Sequence, residues 1–137
     1  MGNRVVRLKG GDPFLFGRGG EELELLTKEG IPYEVVPGVT SPISVPAYNG
    51  IPVTHRDFCS SVHVITGHKR KGMEYDIDFE ALVHTKGTLV FLMGITAMED
   101  ICSGLMKAGM DPDMPAAVLS KGYYGLVSKE SWQLSLH

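Results

Sequence analysis

A chain of 137 residues with 43% hydrophobic and 21% charged residues is sized and composed for one typical α/β-like domain or two small incomplete ones. Its net charge of −3 and isoelectric point near 5.9 give no electrostatic footprint for nucleic acid, so a polyanionic ligand has to be met by a local cationic patch. Cys59 and Cys102 stand far apart and in no C-x-x-C spacing, which suggests neither a disulfide scaffold nor a zinc site.

No apolar stretch approaches the roughly 18 residues of a membrane span, and Met1-Gly2-Asn3-Arg4 lacks the apolar core of a signal peptide. The expected setting is a reducing cytoplasm, with no membrane and no nucleic-acid partner.

In chain order, Val5 to Leu8 reads as a short strand that empties into a turn rich in glycine (Gly10, Gly11, Gly17, Gly19, Gly20). A helix over 20–28 follows, with Leu23, Leu26 and Leu25 on its buried side and Gly30 as its stop. Glu21 and Glu22 fall in its first turn, where the helix dipole favours them, and the simplest role for them is capping. Tyr33 to Val36 reads as the next strand, closed by Pro37-Gly38. Parallel strands linked by a helix form a right-handed βαβ unit whose strand ends open on one side of the sheet, so the two loops are expected to meet.

Thr40 to Ala47 are small or proline residues suited to a short, closely packed helix, which Gly50-Ile51-Pro52 breaks. The pattern then restarts. A strand is expected over 61–66, a basic loop over 67–72, a helix over 78–83, a fully buried strand over 88–93, a helix over 98–108 stopped by Gly109, and a strand over 116–119. Two strand-helix series flank residues 50 to 60, which puts the domain division at 1–57 and 58–137. The tail from Ser128 to Leu134 has a weak helical look.

The glycine loop is the chemically informative feature. It contains no G-x-x-x-x-G-K-[ST] and lacks the G-x-G-x-x-G spacing, which disfavours a phosphate cradle or a dinucleotide site. Asp12 beside the glycines repels anions and suits a cationic or hydroxyl-bearing ligand, while its plain structural alternative is the capping of a turn. The loop alone leaves both open.

Four collinear blocks resolve the choice: Arg7-Leu8-Lys9-Gly10-Gly11-Asp12-Pro13-Phe14, Phe16-Gly17-Arg18-Gly19-Gly20-Glu21-Glu22, Val35-Val36-Pro37-Gly38-Val39-Thr40 and Gly50-Ile51-Pro52-Val53-Thr54-His55-Arg56-Asp57. Together they resemble the tetrapyrrole methylase family, the first and fourth blocks its uroporphyrinogen-III C-methyltransferase branch in particular. The likeness runs from about Gly2 to Gly122 and fades after it, where Ser120-Lys121-Gly122-Tyr123-Tyr124 keeps only the glycine of the usual pattern. It implies an α/β fold of two domains, both incomplete here, because family members are longer and carry a Gly-x-Gly-Pro-Gly-Asp loop upstream of these blocks.

The resemblance further implies transfer of methyl groups from S-adenosylmethionine to ring carbons of uroporphyrinogen III, giving precorrin-2, S-adenosylhomocysteine and a route to siroheme or cobalamin. It carries cofactor-binding roles onto Gly10, Gly11, Asp12, Leu15, Thr40, Ser41, Met93 and Gly122. Ser41 replaces a usual Ala, and Met93, at the end of an apolar run, is by itself a core residue. The substrate's carboxylates need cations: Arg18, His55 and Arg56, with the run Lys69-Arg70-Lys71 as a further source or simply a solvated loop. Arg18 has a bland alternative in an ion pair with Glu21 or Glu22. No catalytic residue is assigned and no metal is expected. His63, expected in a strand, has no family counterpart as a ligand. A homodimer is implied. The competing readings are a sister methylase acting on a later corrinoid precursor or on a protein, and an inactive fragment that only binds cofactor or dimerises.

Overall fold

The computed structural model describes residues 2–68 and 76–120, together with the backbone of 130–133. It forms two compact units, Met1–Ser44 and Val45–His137. Lys69, Arg70, Lys71 and Gly122, and with them most of the basic loop and of the tail, lie outside the described residues.

The first unit is built around helix α1, Gly19–Lys28. It ends as glycine permits. Gly30 takes φ +65°, and the N–H groups of Gly30 and Ile31 donate to the carbonyls of Thr27 and Leu26, a Schellman closure. Leu23 and Leu26 are half-buried as expected, but Leu25 is exposed. At 3.6 residues per turn it falls off the stripe that the other two share.

Neither expected strand of this unit forms. Val5 to Leu8 and Tyr33 to Val36 make no ladder, and Val5, Val6 and Leu8 are each more than four-fifths exposed. Apolar residues in a row mark a segment able to pair, whereas a strand exists only where a partner supplies the hydrogen bonds. Helix α2, Ser41–Tyr48, tolerates Pro42 and Pro46, and closes with the same Schellman geometry at Gly50.

The second unit follows the expected order closely. Strand β1, Val62–Thr66, is followed by α3, Phe79–His84, and then by β2, Thr88–Leu92, which pairs parallel to β1 with Val62 opposite Thr88 and Thr66 opposite Leu92. Asp78 caps α3 by accepting from the Ala81 N–H at 2.9 Å. A single 3₁₀ turn, Ile95–Ala97, leads into α4, Met98–Lys107, closed by Gly109 at φ +94°. Ala97, Ile101 and Leu105 are the buried core, and Leu89 and Phe91, two apart on β2, pack on it with Phe79, Val83 and Met110.

Strand β2 is half-buried along its length rather than fully buried. The β1–β2 sheet has two strands, too few to enclose their own side chains. Strand β3, Pro115–Val118, pairs antiparallel with β4, Glu130–Gln133, so the described part of the segment with a helical look is a strand. Ladder pairing overrides a weak local preference.

The ends of the parallel strands meet in a backbone contact beside the Ile101 side chain of α4. A Cβ placed on Gly67, just after β1, would lie 2.5 Å from Gly94 Cα and 3.2 Å from Ile101 Cδ1. Gly67→Ala should therefore destabilise the protein by about 1–3 kcal/mol through overpacking. Gly20→Ala, where a Cβ meets nothing within 4 Å, should not. Urea denaturation checks this, and equal midpoints for the two variants would contradict the close packing.

Candidate functional site

The glycine loop is organised by a carboxylate. Asp12 Oδ1 accepts from the N–H groups of Phe14 at 2.9 Å and Leu15 at 3.1 Å, and Oδ2 accepts from the N–H of Gly38 at 3.1 Å. Three donors, Gly38 first and then Phe14 and Leu15, hold the Asp12 carboxyl below the usual carboxylate range. The two loops expected to meet do meet. A Cβ on Gly38 would overlap the Gly11 carbonyl oxygen, and Gly11 itself takes φ +72°. Backbone lies on backbone there, which glycine alone allows.

Further along the loop, a Cβ at Gly17 or Gly19 would collide with the Pro13 carbonyl, which accepts the Gly19 N–H at 2.8 Å. Phe16 and Arg18 adopt left-handed backbone, φ 54° and 56°, conformations rare for residues with side chains. Gly10 is exposed, and no atom lies within 4 Å of where its Cβ would be. Its peptide groups are open to a ligand. Leu15 is exposed, Thr40 is half-buried with its carbonyl accepting from Ser44 N–H and Oγ, and Ser41 opens α2.

The first-turn glutamates are ion-pair partners rather than caps. Glu22 accepts from Lys9 Nζ at 2.8 Å and from Arg7 at 3.2 Å, contacts that hold its carboxyl below the ordinary glutamate range, Lys9 contributing most. Arg18, the N-cap residue, makes no side-chain cap and pairs through Nε with Glu21 at 3.3 Å, with four-fifths of its side chain exposed. The bland reading of Arg18 as a Glu21 partner is therefore realised, in a pair open enough to exchange.

In the second unit, His55, Arg56 and Asp57 sit on a tight turn bridged by His55 and Cys59. His55 Nδ1 faces the Asp57 N–H at 3.2 Å, and its ring stands 4.9 Å from that of Phe58. The same Nδ1 stands 3.9 Å from Asp57 Oδ2. Met93 is not a core residue. It follows β2 at φ 56°, is 59% exposed, and stands beside Gly94 at the carboxyl end of the parallel strands, where α/β sheets present ligand-binding loops. His63 Nε2 lies 3.4 Å from Ser61 Oγ, and among the described residues no cluster of His, Cys, Asp or Glu could hold a metal.

Comparison with known proteins decides the family. The model of the tetrapyrrole (corrin/porphyrin) methylases matches residues 1–123. The chain belongs to the tetrapyrrole methylase family. It is 59% identical over 121 residues to the porphyrin biosynthesis protein HemD of Ruminiclostridium josui, and 54% identical over 121 residues to a siroheme synthase of Escherichia coli. These alignments cover 88% of this chain but 24% and 26% of the relatives, so it spans about a quarter of their length. Among solved structures, the uroporphyrin-III C-methyltransferase of Thermus thermophilus complexed with S-adenosylhomocysteine superposes with a TM-score of 0.77 at 36% identity. That match covers 95% of this chain and 56% of the Thermus one. Cobalt precorrin-4 methyltransferase superposes with a TM-score of 0.83 at 26% identity, over 95% of this chain and 54% of that one.

The first unit thus holds Gly10, Gly11, Asp12 and Leu15 on a loop that touches Gly38, two residues before Thr40 and three before Ser41, while Met93, His55 and Arg56 belong to the second. Sequence reasoning missed Gly38 as a structural partner of Asp12, and Lys9 with Arg7 as partners of Glu22. The visible signal for the last was alternating charge across the loop and the helix start.

Acid should undo the Glu22 contacts with a definite sign. A carboxyl depressed in the native state contributes fully above its unfolded pKa and loses that contribution as pH falls through the lower native value. An NMR titration of the Glu22 carboxyl carbon should give a midpoint below the ordinary glutamate value, moving up in Lys9→Ala. A midpoint at the ordinary value, unmoved by that substitution, would contradict the pairing.

Proposed function

We propose that the chain is part of an S-adenosylmethionine-dependent methyltransferase that methylates ring carbons of uroporphyrinogen III, two transfers giving precorrin-2 for siroheme or cobalamin. The observation that carries this is the pair of touching loops, Gly10-Gly11-Asp12 and Pro37-Gly38, which leaves the Gly10 backbone exposed. Both solved relatives share the fold, and the higher identity, 36% against 26%, lies with the uroporphyrin-III enzyme rather than with the one acting on precorrin-4. The Gly50 to Asp57 block supports the same choice.

The residues present fit such a cofactor. The exposed peptide groups at Gly10 suit the polar methionine and ribose parts, and Gly11, Asp12, Leu15, Thr40, Ser41, Met93 and Gly122 are the further residues proposed for the cofactor. Bound there, the sulfonium supplies an already activated methyl group. The reduced pyrrole is an electron-rich carbon nucleophile, so the protein's task is alignment and exclusion of water more than acid–base chemistry. Arg18, His55 and Arg56 are the proposed carboxylate partners, the arginines through their planar forks. The working form we propose is a cytoplasmic homodimer.

Calorimetry on the full-length gene product should show S-adenosylhomocysteine binding, and a complete absence of heat would remove the cofactor reading. Arg18→Ala and Arg56→Ala should each raise KM for uroporphyrinogen III a few-fold, the scale of an exposed charge, with S-adenosylhomocysteine affinity kept. The effect should shrink at high salt. A fall in cofactor affinity with KM unchanged would reverse the assigned roles.

A further inference from the structure

We infer that Asp12 is a positioning residue of the cofactor site: its carboxylate ties the Pro37-Gly38 turn to the Gly10-Gly11 loop and so sets the spacing between the two ligand-facing backbones. This rests on the cofactor reading above and changes what Asp12 does within it.

A carboxylate offers about four acceptor sites, and three of them are filled by the N–H groups of Phe14, Leu15 and Gly38. The two oxygens divide the work. Oδ1 shapes the local turn, and Oδ2 reaches 26 residues along the chain to Gly38. No ladder joins the segments that lead into these loops, since neither Val5 to Leu8 nor Tyr33 to Val36 is in a strand. The side-chain bond joins the two loops directly. Gly38 completes it by lacking a Cβ, because one would overlap the Gly11 carbonyl oxygen and push the turn away from the loop. Asp12 and Gly38 act as a unit: the carboxylate pulls the backbones together, and the missing side chain lets them touch.

Asparagine separates the two oxygens chemically. With Oδ1 kept toward Phe14 and Leu15, Asp12→Asn would turn its NH₂ toward the Gly38 N–H, donor against donor, and lose the long-range arm while keeping the local turn. A residue that touched the ligand directly would behave otherwise, with binding falling and the Gly38 amide unmoved.

The test is NMR on the full-length gene product labelled with ¹⁵N at glycine, phenylalanine and leucine, with calorimetry of S-adenosylhomocysteine binding. In the unsubstituted protein the amides of Phe14, Leu15 and Gly38 should move together on acidification, with one midpoint below the ordinary aspartate value. In Asp12→Asn the Gly38 amide should shift while Phe14 and Leu15 hold, and S-adenosylhomocysteine affinity should fall about tenfold or more, as for loss of a hydrogen bond to a charged group. Gly38→Ala should weaken binding likewise. Independent titration of Gly38 in the unsubstituted protein overturns the inference without any variant. So does Asp12→Asn with weakened binding and an unmoved Gly38 amide, or with a displaced Gly38 amide and full affinity. No binding by the unsubstituted protein, with the three amides still coupled, overturns the cofactor reading and this role with it, and is distinguishable from the other outcomes.

Discussion

The first unit depends on one carboxylate meeting three backbone N–H groups. Asp12 spans a turn with one oxygen and reaches the Gly38 turn with the other, and the surrounding glycines are the consequence. The backbones touch at Gly38 against Gly11 because Gly38 carries no Cβ, which would overlap the Gly11 carbonyl oxygen. The same loop then turns through left-handed residues at Phe16 and Arg18 before α1 begins, and those conformations place Arg18 at the surface beside Glu21. The backbone geometry and the exposed charge have a common origin.

The second unit uses the same device with a different partner. Gly67 and Gly94, each just beyond a parallel strand, approach closely enough that a Cβ on the former would meet the Cα of the latter. The contact lies over Ile101, so the strand ends are fixed to the core of α4. Met93, next to Gly94, has a left-handed backbone and an exposed side chain. A strained, exposed methionine at the carboxyl end of a parallel strand is where a ligand-facing apolar group is useful.

Helices were legible where a local rule governs them. Gly30 and Gly109 end α1 and α4 as left-handed glycines do, and Asp78 caps α3. Parallel β1 and β2 were legible from their apolar runs. What escaped were features that depend on distant partners. Val5 to Leu8 has the composition of a strand and no ladder, and Glu130 to Gln133 looked helical and pairs with β3. Met93 reads as core because its neighbours are apolar, whereas it is exposed on a left-handed backbone that no composition reveals. The family blocks brought out the chemistry of the loop, but they could not say that Asp12 spends its acceptors on Gly38, 26 residues away.

The central claim concerns which carbon nucleophile is methylated. Incubation of the full-length gene product with methyl-labelled S-adenosylmethionine and uroporphyrinogen III, followed by mass spectrometry of the tetrapyrrole, addresses it directly. The account predicts a product carrying two labelled methyl groups on ring carbons. An unlabelled uroporphyrinogen III, alongside labelled product when a later corrinoid precursor is supplied instead, would contradict it.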